Sequence, residues 1–219
     1  GGGLFFDRRY FMTALGKIGK PEVAYYKNKK KIYFVRNLYL PKNATDKYKS
    51  IYYRYWDEVE EHLAKLEAAG KISKIFCESI YMTGEESMRV LSSMNVRLEQ
   101  IVKQKIDAGG KFLPLESREI FGIYIDWYNC LAVVRIPRVY ETIHKFLDET
   151  IKERFEHIKS VLKENIADGE AALLVMRDED RGFLEAPDDI ELFFATPPAY
   201  DDLLQFIRDR DSGKEAWRA

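Results

Sequence analysis

The chain has 219 residues, 46% of them hydrophobic and 32% charged, with a formal net charge of −1: the composition of a folded globular domain and not of a disordered segment. Its two cysteines, Cys77 and Cys130, are too few and too far apart for a disulfide framework or a cysteine zinc site, and fit a reducing compartment. No apolar run reaches the ~20 residues of a membrane span, and no basic-apolar leader pattern opens the chain, so the expectation is a cytoplasmic protein with no membrane partner.

Residues 23–26 and 31–36 are rich in aromatic and β-branched side chains and flank the polar stretch 27–30, which is the pattern of an N-terminal β-hairpin. Residues 37–40 would extend the second strand until Pro41 stops it. A helix follows, capped by Thr45 or Asp46, with Ile51, Tyr55, Val59, Leu63 and Leu66 on one stripe and Gly70 beyond its end. Residues 71–79 read as an interior strand, since Ile75, Phe76 and Cys77 are continuously apolar.

Residues 83–166 read as helical throughout. Thr83 and Glu86 have the spacing of a capping box, Asn95 caps a second helix ending at Gly109 and Gly110, and Ser117 opens a third. Pro137 opens a fourth, long helix, whose apolar stripe includes Leu147, Ile151, Phe155, Ile158 and Leu162. Residues 171–176 form a buried strand, a charged loop follows, residues 190–195 form another strand, and Pro197 and Pro198 start a short final helix. The order argues an α/β fold: a mixed sheet with an N-terminal β-hairpin and flanking helices. Residues 4–219 are read as one domain, with 83–166 a helical lobe inserted between strands.

Charge is sorted along the chain. Residues 1–54 hold 13 Lys/Arg against three acids, and residues 164–211 hold 14 Asp/Glu against four bases. The basic stretch interleaves cations with tyrosines, as proteins do when cations follow phosphates and rings stack on bases. Lys27, Lys29, Lys30, Lys31, Arg36 and Lys49, with Tyr33, are therefore the candidate surface for a nucleic acid or an acidic protein. This is the leading functional reading: a binding or regulatory module, more a binder than an enzyme.

Two alternatives stand beside it. Glu78 ends one strand, and Asp178 and Asp180 follow another. Carboxylates at strand ends could hold Mg²⁺ or Mn²⁺ in a metal-dependent phosphoester hydrolase, with one acting as general base. A homo-oligomer is the other: the basic end of one copy would meet the acidic end of the next, unless the two ends neutralise each other within one fold. No Walker, dinucleotide-binding or nucleophile-elbow motif is present, and no cofactor is evident from sequence. His62, His144 and His157 lack zinc-helix spacing, Cys77 reads as an inert buried thiol, and Asp126 beside Trp127 suggests an ion pair with Arg135 within the helical lobe.

Overall fold

The structure, a computed structural model, describes Tyr26, residues 28–177 and residues 189–211. In chain order the elements are β1 (Lys30–Arg36), α1 (Asp46–Leu66), β2 (Ile72–Cys77), α2 (Gly84–Met94), α3 (Val96–Asp107) and β3 (Lys111–Phe112). There follow α4 (Arg118–Val133), α5 (Pro137–Asn165), β4 (Ala171–Met176), β5 (Ile190–Phe194) and α6 (Pro198–Asp211). The fold is α/β, as the alternation of periods implies, and the segment between β2 and β4 is helical apart from β3 and its flanks.

The five strands form one sheet in the order β3-β2-β4-β1-β5, and every neighbouring pair is parallel. This corrects the mixed sheet and its hairpin. β1 is bonded on one side by β4 and on the other by β5, so neither edge is open to an antiparallel partner. Tyr26 sits in a helical turn, and residues 23–25 lie outside the described residues.

Alternation along the strands sends side chains to two cores. On one face Tyr33, Val35, Ile75, Cys77, Leu173 and Val175 pack under α1 and α3, through Tyr55, Trp56, Val59, Leu63, Ile101 and Val102. On the other, Ile32, Phe34, Phe76, Leu174 and Met176 pack under the C-terminal half of α5, through Phe155, Ile158 and Leu162. Every residue of β4 is buried, as a central parallel strand covered on both faces requires. The segment 83–166 thus contributes to both faces.

Local signals explain the helix starts. The Thr45 hydroxyl accepts from the Tyr48 amide at α1, Asn95 Oδ1 accepts from the Leu98 amide at α3, and Ser117 accepts from the Ile120 amide at α4. Pro137 occupies the first turn of α5. Thr83 is extended but makes no side-chain cap; the chain enters α2 through Gly84 at φ 67°.

The sorted charge is folded back on itself. Lys29 Nζ lies 2.7 Å from Glu191, Lys30 Nζ lies 2.7 Å from Asp189, and Arg54 of α1 pairs with Asp202 of α6. Placing β5 beside β1 and α6 against α1 sets acids of the late segment directly against bases of the early one.

Candidate anion-binding cleft

Parallel strands end together, and the residues just past their carboxyl ends converge. In register Arg36 faces Met176 and Cys77 faces Val175, so Asn37, Glu78 and Arg177 leave the sheet side by side. Backbone bonds carry the ladder one step on: Asn37 N to Met176 O (2.7 Å) and Glu78 N to Val175 O (2.9 Å).

The Glu78 carboxylate is the hub of a buried network. Its Oε1 accepts from Asn37 Nδ2 and from the Tyr39 hydroxyl, each at 2.9 Å. Its Oε2 accepts from the Arg177 amide (3.1 Å) and from Arg177 Nε (3.2 Å). Arg177 also donates to the Tyr124 hydroxyl of α4 at 3.2 Å. Asn37 Oδ1 accepts from Asn95 Nδ2 (3.1 Å), and Asn95 Oδ1 accepts from the Tyr52 hydroxyl (2.8 Å), which ties the loop after β1 to α1 and α3. Burial, reinforced by the Glu78 carboxylate, pushes the Tyr39 phenol well above its ordinary value, so it remains a proton donor across the neutral range.

The tyrosines of the early segment have a second task. From α1, the Tyr55 hydroxyl donates to Arg36 O (2.6 Å), the Tyr48 hydroxyl to Tyr39 O (2.9 Å) and Trp56 Nε1 to Leu38 O (3.3 Å). These rings satisfy the carbonyls of the 36–39 loop and hold it rigid.

Above this floor lies a cleft of about 500 Å³. Arg36, Asn37, Tyr39 and Arg177 form its polar end, and Leu203, Leu204 and Ile207 of α6 form an apolar wall. The Arg36 guanidinium rests 4.4 Å from the centre of the Tyr200 ring, a cation–π contact that fixes its direction.

Behind the cleft, Arg154 of α5 and Glu116 of the α4 entry form a buried ion pair, with Arg154 1% and Glu116 4% exposed. Arg154 Nε meets Glu116 Oε2 at 2.9 Å and Arg154 Nη2 meets Oε1 at 2.5 Å. Glu116 Oε1 also accepts from the amide of Ser79, the one non-glycine among the described residues at positive φ (67°). Arg154 lies 4.9 Å from the Tyr124 ring, so the pair braces the helix that presents Tyr124 to Arg177.

The residues singled out from the sequence fall in several places. Lys29 and Lys30 are in ion pairs, and Lys49 pairs with Asp46 at 3.2 Å. Lys31 is fully buried, its Nζ donating to the carbonyls of Lys29 (2.6 Å) and Tyr26 (2.7 Å). Tyr33 is fully buried, its hydroxyl 2.8 Å from the carbonyls of Leu66 and Gly70, and burial together with Glu67 pushes its phenol up to about 12. These side chains do not make a stacking surface; of that set Arg36 alone lines the cleft, and Lys27 lies outside the described residues.

Glu78 stands where expected, but its oxygens serve Asn37, Tyr39 and Arg177. Asp178 and Asp180 lie outside the described residues, and among the described residues no group of three or more His, Cys, Asp or Glu is placed to hold a metal ion. Cys77 is buried, and burial pushes its thiol up, away from reactivity. Asp126 is exposed and makes no ion pair with Arg135; the buried pair of this region is Glu116–Arg154. The signal for it was a charge on the apolar stripe of α5: Arg154 falls at helical spacing from Leu147, Ile151 and Ile158.

No protein-family model matches the chain, and no curated protein or solved structure matches it.

Proposed function

We propose that the protein is a binding protein for a small anionic ligand of about mononucleotide size, seated in the cleft at the carboxyl edge of the sheet. One observation carries this reading: Arg36 and Arg177, from the ends of two adjacent parallel strands, line one cleft of about 500 Å³ beside the Tyr39 and Tyr200 rings. The volume falls in the ordinary range of ligand pockets, and the place is where α/β sheets collect ligands. A guanidinium fork suits a phosphate or carboxylate, and the apolar wall suits a flat body attached to it. Anion recognition is thus kept from the sequence reading but moved from the lysine-rich segment, of which Lys29, Lys30 and Lys49 meet carboxylates, to two arginines.

Isothermal titration with inorganic phosphate, nucleoside monophosphates and single-stranded RNA tests it. The expected result is saturable binding of a nucleoside monophosphate, weakened about tenfold or more in Arg36→Gln. Two results overturn it: no binding of any of the small anions, or RNA binding that is unchanged in Arg36→Gln and lost in Lys29→Gln with Lys30→Gln.

A further inference from the structure

α4 does not look like a surface helix. Ile120, Phe121, Ile123, Tyr124, Ile125, Trp127, Tyr128, Leu131 and Val133 run round it, the composition of a helix meant to be covered on more than one side. Yet Tyr124 is its one buried residue, and its principal neighbour is α5. Of the fourteen large hydrophobic side chains that stand exposed among the described residues, eight lie between Ile123 and Phe146, on α4, the turn and the first half of α5. Val133 is 75% exposed, Ile136 64% and Tyr128 58%. Exposed large hydrophobics gathered so heavily on one helical hairpin mark a surface built to meet a partner.

The geometry points to a second copy of this chain as the occupant: the α4–α5 hairpins of two protomers pair side by side, about a twofold axis, as an antiparallel helical bundle. Two observations select it. The exposed apolar side chains of the hairpin are interleaved with the exposed acids Asp126, Glu141 and Asp148. A lipid surface accepts a helix to a depth of ~5–10 Å and rejects acids there, so a protein partner fits better. The hairpin is also charge-complementary to itself. Its tip is basic, with Arg135 and Arg138 in no ion pair among the described residues, and its midsection is acidic. Antiparallel pairing of two copies sets each basic tip against the other's acids, the isologous arrangement a twofold axis requires.

Sedimentation equilibrium of the full chain over a range of concentrations tests this, with far-UV circular dichroism as a check on folding. The expected result is a dimer whose dissociation constant rises about tenfold or more in Tyr128→Glu and again in Ile136→Glu, exposed positions where helicity is retained. Arg135→Glu combined with Arg138→Glu should also weaken it, and the loss should be smaller at high salt. A monomer at every concentration overturns the proposal, as does a dimer that both apolar-to-acid variants leave unchanged. A monomeric chain that co-sediments with vesicles of anionic phospholipid also overturns it, in favour of a lipid surface.

Discussion

The buried pair of Arg154 and Glu116 gives the sharpest perturbation of this molecule. Arg154→Met keeps the aliphatic volume but leaves the Glu116 carboxylate, fully buried in its side chain, facing the Ser79 amide alone. Removing one partner of a buried ion pair costs about 3–5 kcal/mol, because the orphaned charge keeps its desolvation penalty. For a chain of this size each kcal/mol moves the midpoint by about 2–4 °C, so a fall of roughly 6–20 °C is expected. Glu116→Leu alone should also destabilise, since it removes the carboxylate to which Arg154 Nε and Nη2 donate. The double variant should be less damaging than the sum of the singles, because no buried charge is left. What it retains is the unsatisfied Ser79 amide, worth about 1–3 kcal/mol. Urea denaturation followed by circular dichroism, with unchanged slopes, measures all four states of the cycle. Single variants within 1 kcal/mol of the parent, or strict additivity in the double, would refute the assignment of this pair as a coupled brace.

Other expectations follow from the same geometry. In the native protein a thiol reagent should modify the half-buried Cys130 and leave Cys77 untouched until denaturant is added; rapid native labelling of Cys77 would contradict its burial at the end of β2. A methyl group at Gly70 would lie 2.7 Å from Lys31 Cε, so Gly70→Ala should displace the Lys31 ammonium from its carbonyl partners and cost about 1–3 kcal/mol, read from urea midpoints. For Glu170, burial raises the carboxyl, but bonds from the Ala167 amide, Lys74 and Ser73 outweigh it and hold the group below its ordinary 4.5. Its contribution to stability is therefore complete above pH 4.5 and is lost as the pH falls through the lower folded value. Lys74→Met should flatten that acid limb in a pH series of unfolding free energies, and an unchanged slope would count against it.

What could be read without coordinates was local. The unbroken apolar run of β4, the stripes of α1 and α5, and the caps Thr45, Asn95 and Ser117 all act within a few residues, and each element forms where its pattern lies. The position of β1 was not legible, because its partners β4 and β5 arrive more than a hundred residues later and propensity carries no record of them. The polar 27–30 stretch reads as a hairpin turn because the same residue types suit a turn or the approach to a strand, and local pattern does not separate the two. β3 is two residues long, too short for any period, and exists because the edge of β2 offers it bonds. At the site, Glu78 was recognisable as a strand-end carboxylate, while its union with Asn37, Tyr39 and Arg177 depends on strand order. The charge sorting was plain, but its meaning turned on whether Lys29 would find Glu191, 162 residues away, and it does.

The central claim is that anion recognition resides in the two arginines at the carboxyl edge of the sheet and not in the lysines of the early segment. Nitrogen-15 spectra of the arginine and lysine side chains, recorded while a nucleoside monophosphate is titrated in, test it most directly. The predicted result is a saturating shift of the Arg36 and Arg177 Nε signals with those of Lys29, Lys30 and Lys49 unmoved. Movement of the lysine signals with Arg36 and Arg177 unchanged would contradict it.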